Sequence, residues 1–138
     1  MIAYVDSSVV LRLVLNQPGQ LAEWKKIVTA VTSGLLEVEC LRTLDRLRVL
    51  GHITADDVAV RRETVFRFLE AMEIVDLSPS VLRRAGQSVS VPLGSLDAIH
   101  LASAEVWREA RAKEPIVATH DRQLALAARA SGFRVAGV

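Results

Sequence analysis

Residues 2–8 read Ile2-Ala3-Tyr4-Val5-Asp6-Ser7-Ser8, a short β-prone run that stops at an acid and two serines, a helix-start signature. A strand passing straight into a capped helix is half of a β-α unit, and the rest of the chain repeats the alternation. Val9 to Leu15 continues as a short helix, Pro18-Gly19 punctuates, and Gln20 to Val28 reads as a second helix carrying Trp24. Val28 to Thr32 is β-branched and suits a second strand. Ser33 caps a strong helix from Gly34 to Leu50, which Gly51 stops. Thr54 caps the next, through Glu70, with Asp56 and Asp57 against the positive end of the helix dipole. Ile74 to Leu77 is a strand candidate, and Ser78-Pro79 starts a helix because proline is tolerated at the first helical position. Ser95 caps a helix to Ala112, and Pro115 precedes a strand from Ile116 to Ala118. Asp121 starts a helix to Ala130, and Phe133 to Ala136 forms the last strand. Such alternation argues for a parallel sheet covered by helices on both faces.

Composition agrees with that class and excludes others. The 138 residues are 51% hydrophobic and 24% charged, and a chain of this size buries about 70% of its unfolded surface. Disorder and collagen-like architecture are excluded by the apolar content and by only 7 Gly and 4 Pro. The one cysteine, Cys40, excludes an internal disulfide framework and a cysteine-rich zinc site, and its apolar helix face places it in the core. No apolar run approaches the ~20 residues of a membrane span. Asp6 and Arg12 interrupt the apolar stretch from Met1 to Leu15, which is not read as a signal peptide, so a cytoplasmic location is expected. With 17 basic and 16 acidic residues, overall charge names no partner.

In open parallel sheets functional groups collect at the carboxyl ends of the strands. Four acids are then of interest: Asp6, Glu39, Asp97 and Asp121. Each also has a structural reading. Asp6 and Asp121 sit where N-caps sit, and Asp97 is a first-turn acid of a helix with few polar positions. Glu39, Arg42 and Arg46 share one helix stripe, with Leu36, Cys40, Leu44 and Leu47 opposite, so an exposed Glu39–Arg42 ion pair is the alternative there. Glu37 is a rival acid that points toward the apolar arc. Four carboxylates meeting at one point repel, and either take up protons or recruit a cation. Hard divalent ions such as Mg²⁺ or Mn²⁺ match an all-oxygen donor set, and phosphodiester hydrolysis is the chemistry such a centre supports.

Four segments then carry a resemblance: Tyr4-Val5-Asp6-Ser7-Ser8, Glu39-Cys40-Leu41-Arg42, Ser95-Leu96-Asp97-Ala98-Ile99-His100-Leu101-Ala102, and Thr119-His120-Asp121-Arg122-Gln123-Leu124. In order and over essentially the whole chain they resemble PIN-domain ribonucleases, most closely the VapC toxins of toxin–antitoxin pairs. The resemblance implies a single domain over 1–138 with a three-layer α/β/α fold around a central parallel sheet, usually a homodimer. It implies an Mg²⁺-dependent endoribonuclease, Mn²⁺ substituting, with Asp6, Glu39, Asp97 and Asp121 as the catalytic and metal-binding cluster. Ser7 and Thr119 fall at positions of supporting polar groups. Arg42 and Arg46, by their place on the Glu39 stripe and not by the resemblance, can meet a phosphate, orient the carboxylate or receive an antitoxin acid. The implied partners are an RNA substrate and a cognate antitoxin, the latter laying a short helix into an apolar groove near the site. The first helix and the Thr54–Glu70 helix are candidate walls for that groove. A catalytically weak PIN-like binding or assembly module is the alternative. His120 departs from the family's usual small or aromatic residue.

The remaining motifs are less telling. A histidine acid–base pair is a weaker model: His100 is read as a structural hydrogen-bonder one turn from Asp97, and His52 as a surface residue after Gly51. An aspartyl-phosphate phosphatase wants a second Asp where Ser8 stands. Arg61-Arg62 and Arg83-Arg84 read as solvated pairs, and the scattered aromatics build no base-stacking platform. Setting four acids aside in a cation-filled pocket leaves 12 acids against 17 basic residues, a mildly basic remainder.

Overall fold

The computed structural model describes all 138 residues. The elements are β1 (Ile2–Val5), α1 (Ser7–Val14), β2 (Thr29–Ser33), α2 (Leu35–Val49), α3 (Ala55–Glu70), β3 (Glu73–Val75), α4 (Pro79–Ala85), α5 (Ser95–Arg111), β4 (Ile116–Ala118), α6 (Arg122–Ala130) and β5 (Val135–Ala136). Every strand pairing is parallel, in the order β3-β2-β1-β4-β5. The predicted parallel sheet with helices on both faces is realised, and the strand pleat shows how. Ala3, Val5, Ile116 and Ala118 turn to one face, against Val9, Val10, Leu36, Cys40, Leu44 and Val65 of α1, α2 and α3. Tyr4, Val31 and Val117 turn to the other, against Leu101, Ala104 and Trp107 of α5 and Leu124, Ala127 and Ala128 of α6. Strand β1, central and covered on both sides, is apolar at every position, as a doubly covered strand must be.

Local chemistry sets the helix ends. Thr54 accepts from the Asp57 amide while the Asp57 carboxylate accepts from the Thr54 amide, a reciprocal capping box. Asp6, Ser78 and Asp121 cap α1, α4 and α6 through their side chains. Two expected caps are displaced by one residue. Gly34 and Gly94, not Ser33 and Ser95, occupy the cap positions, although the Ser33 hydroxyl still accepts from the Leu35 amide. The helix expected over Gln20–Val28 is absent apart from a single 3-10 turn at Trp24–Lys26. Leu21 is buried and Trp24 and Ile27 pack against the core, so these apolar contacts, not helical hydrogen bonds beyond one turn, hold the segment.

Glu37 is exposed rather than turned to the apolar arc, and Arg42 pairs with Asp45 at 3.3 Å, not with Glu39. Two arginines read as solvated are engaged. Arg61 donates to the Val14 carbonyl, and Arg84 makes a bidentate pair with Glu109 at 2.6 and 2.8 Å that ties α4 to α5. No helix is long and apolar enough to cross a membrane.

Candidate metal centre

In the strand order, β1 is flanked by β2 on one side and β4 on the other, so the chain changes direction of winding between β1 and β4. Side chains just past the carboxyl ends of these two strands face the crevice at that switch point. Asp6 follows β1 and Thr119 to Asp121 follow β4, with the Asp6 amide donating to the Ala118 carbonyl at 3.0 Å.

Asp6 is buried and held on several sides. Its Oδ2 accepts from Thr119 Oγ1 at 2.8 Å and from Ser8 Oγ at 2.5 Å, while Oδ1 lies 3.3 Å from Ser7 Oγ. Thr119 Oγ1 in turn accepts from the Asp121 amide at 2.9 Å, and Ser8 Oγ accepts from the His120 amide at 2.9 Å. Two hydroxyls thus staple the turn after β4 to the turn after β1 and fix the Asp6 carboxylate between them. Ser7 and Thr119 both touch Asp6. Ser8, to which the sequence assigns only a place in the helix start, makes the shorter contact, and the Asp-Ser-Ser triplet is the signal for it.

Glu39 comes from α2, on the half-buried edge of its stripe. Its Oε2 lies 2.6 Å from His100 Nε2, and His100 Nε2 lies 3.5 Å from Asp6 Oδ1. Ligand atoms of Asp6, Glu39 and His100 all fall within 4.8 Å of one another. Asp97 and Asp121 are outside that tight group. Asp97 lies one turn before His100 on α5, and burial first, then the charges of Asp121 and Asp6, push its carboxyl up to about 6. That coupling places all four acids in one electrostatic neighbourhood. Asp121 Oδ1 also accepts from the Leu124 amide at 2.9 Å, so it serves as cap and rim acid together.

His100 forms the hydrogen bond expected of it, but with other partners: Glu39 and, through Nδ1, Tyr4 Oη at 2.9 Å. Burial works against its charged form, yet the Glu39 hydrogen bond and the Asp6 charge outweigh it and raise its pKa. His52 is exposed, and His120 Nδ1 lies 2.8 Å from the Gly137 carbonyl oxygen, with Nε2 buried and unpartnered. Gly137 sits at φ +105°, and a Cβ there would run into the Thr119 carbonyl oxygen, so glycine is required where the chain passes the site. Cys40 is core, its thiol pushed up to about 12 by burial first and then by the Glu39 charge.

Beside the acids lies a groove of about 320 Å³ whose walls are α1 and α2, closed by Leu96 of α5. Leu11 and Val38 supply apolar surface, and Arg42 and Arg46 supply positive charge. Helix α3 takes no part in this groove.

Comparison with known proteins agrees with this architecture. The chain is 30% identical over 131 residues, 94% of its own length and 92% of the relative's, to Ribonuclease VapC47 of Mycobacterium tuberculosis (strain CDC 1551 / Oshkosh). Its fold is similar to that of FitAB bound to the IR36 DNA fragment, with a TM-score of 0.74 at 16% identity over 97% of this chain and 93% of that one. It is also similar to VapBC-5 of Mycobacterium tuberculosis, a member of the VapBC family of toxin–antitoxin systems, with a TM-score of 0.57 at 23% identity over 100% of both chains. The family model for the PIN domain matches residues 3–130. A parallel five-stranded sheet with acids at its switch point, matched along nearly the whole chain, makes this protein a member of the PIN-domain family.

Proposed function

We propose that this chain is a divalent-metal-dependent endoribonuclease, Asp6, Glu39, Asp97 and Asp121 forming its catalytic and metal-binding cluster, and the toxin of a toxin–antitoxin pair. The observation that carries the reading is the crowding of acids at one sheet edge. Asp6 and Glu39 approach within 4.8 Å, and Asp97 nearby holds its proton up to about 6. Surplus negative charge in a half-buried site with oxygen donors fits a hard cation, Mg²⁺ with Mn²⁺ as substitute. Bound there, the ion supplies a Lewis acid that activates water and offsets charge on the phosphate and the leaving oxygen.

The chain's own groups do the rest. Thr119 and Ser8 orient Asp6, and the α5 helix presents Asp97 in its first turn. Arg42, its side chain 75% exposed on the groove wall, is placed to meet a substrate phosphate. Hydrolysis leaves a 3′-hydroxyl and a 5′-phosphate and needs no 2′-hydroxyl. An imidazole acid–base pair is not supported, because His100 is fully buried with both ring nitrogens engaged and His52 is exposed. The relative named a ribonuclease and the neighbour from the VapBC family of toxin–antitoxin systems support the toxin role. A cognate antitoxin laying a helix along the groove, a single domain over 1–138, a homodimer and a cytoplasmic location complete the reading.

The test is cleavage of total RNA with Mg²⁺, with and without excess EDTA, and mapping of the new ends. Metal-dependent cuts bearing 5′-phosphates are expected. Full activity in EDTA overturns the reading, and absence of metal binding at millimolar Mn²⁺ favours the binding-module alternative.

The Asp97 proton makes a second prediction. A ligand must be deprotonated to bind metal, so protons compete with the ion wherever the carboxyl is still protonated. Metal affinity is therefore expected to climb as pH rises through about 6 and to level off above it. Calorimetric titration with Mg²⁺ in buffers of different ionisation enthalpy checks this, with proton release on binding at the low end and little at the high end. Affinity independent of pH removes Asp97 from the ligand set.

A further inference from the structure

The deepest polar contact of the site lies behind the carboxylates. His100 is completely buried on α5, and its ring meets Tyr4 edge-on, centroids 6.0 Å apart at 74°. Tyr4 Oη lies 2.9 Å from Nδ1, and Glu39 Oε2 lies 2.6 Å from Nε2. An ionised carboxylate only accepts hydrogen bonds, so the hydrogen that Glu39 receives is carried by Nε2. In the neutral ring Nδ1 is then the acceptor, and the Tyr4 hydroxyl donates to it. A nitrogen bearing a hydrogen offers no lone pair to an ion. Although Nε2 lies within 4.8 Å of Asp6 and Glu39 ligand atoms, the tautomer sets His100 apart from them.

We propose that Tyr4 and His100 form a positioning relay that runs from the central strand through α5 and locks the Glu39 carboxylate in its ligating orientation. The proposal rests on the reading of Glu39 as a metal-holding acid and adds residues to which that reading assigns no role. Glu39 projects from the groove-facing side of α2 on a side chain with three rotatable bonds. Fixing it beforehand removes an entropy cost from metal binding. The relay also gives a polar partner to each of two fully buried rings, beside the buried hydroxyls of Ser33 and Ser103. Each satisfies the other, and the one remaining N–H is spent on a carboxylate. Groups that hold a ligating carboxylate in this way typically change metal affinity or activity 10–100-fold when removed.

The experiment combines two readouts that do not use catalysis. Long-range ¹H–¹⁵N spectra of the metal-free protein are expected to show His100 with a proton on Nε2, its signal moving in Glu39→Gln. Calorimetry with Mg²⁺ is expected to show affinity falling about 10–100-fold in His100→Leu. His100→Gln, whose amide N–H can stand near the Nε2 position, should recover most of it. Tyr4→Phe, which keeps the ring packing and removes only the hydroxyl, should lose about 2–10-fold. An Nδ1–H tautomer, wild-type affinity in both folded His100→Leu and Tyr4→Phe, or loss of the Nε2 proton on adding Mg²⁺ overturns the relay. If His100→Leu does not fold, Tyr4→Phe against wild type decides. If wild type itself binds no Mg²⁺, the metal-dependent function falls, and the relay stands or falls on the tautomer and its response to Glu39→Gln.

Discussion

Asp6→Asn is expected to lower RNA cleavage at saturating Mg²⁺ by about 10²–10³-fold or more while leaving the fold in place. The loss follows from which oxygen is already committed. Oδ2 accepts from Thr119 and Ser8, so an asparagine must turn its carbonyl oxygen toward those two donors. Its amide NH₂ then faces Glu39 and the place of the cation, where a donor can neither ligate nor neutralise. The fold survives because asparagine caps a helix as well as aspartate does, and because removing one charge from a crowded cluster relieves repulsion. Cleavage assays on one RNA, paired with thermal melts, check the prediction. Mg²⁺ should raise the melting temperature of the wild type and not that of the variant. An active Asp6→Asn protein, or one that has unfolded, contradicts it.

Leu44→Ala should produce the opposite pattern, a large loss of stability with the chemistry preserved. Leu44 is fully buried on α2 in the layer it shares with α1 and α3, packed with Leu36, Cys40 and Val65. Truncation removes transfer free energy and leaves a cavity that close-packed neighbours only partly fill, a cost of about 2–5 kcal/mol. Against a total stability of about 5–15 kcal/mol for an ordinary domain, that is a large share. Urea unfolding should show a lower midpoint at unchanged slope. Glu37→Ala on the same helix, at an exposed position, should stay within about 0.5 kcal/mol of wild type. Cleavage by Leu44→Ala well below its melting temperature should remain near wild type, because the mutated position lies beyond the turn that carries Glu39. A neutral Leu44→Ala would show that this layer is loosely packed.

Features of this chain that depend on neighbours in sequence were legible without a structure. The Thr54 cap with its first-turn acids, the Asp6 and Asp121 caps, the proline at the start of α4 and the bounds of β4 all rest on contacts within a few residues. The apolar periods of the strands and helices were enough to name a doubly covered parallel sheet. At Gln20–Val28 the spacing of Leu21, Trp24 and Ile27 suits a helix, yet the segment packs all three on the core with a single 3-10 turn. The four acids could be picked out by their places: Asp6 and Asp121 after strands, Glu39 on a helix stripe and Asp97 in the first turn of a helix. Their common role came from resemblance, since each alone also suits a cap or an ion pair.

The tertiary structure alone decided how the acids are held. Thr119 meets Asp6 across 113 residues, Tyr4 meets His100 across 96, and His100 meets Glu39 across 61. No local period records such pairs, because they are set by the order in which strands enter the sheet and by which helix faces pack on it. The same cause explains why Glu37 and Glu39, two residues apart and alike in charge, ended in solvent and at the site. The sequence by itself determined a parallel α/β domain with acids near its strand ends. The β3-β2-β1-β4-β5 order set the ends of β1 and β4 side by side and brought the Asp6 carboxylate against Thr119, because non-local packing, not residue type, aims a side chain.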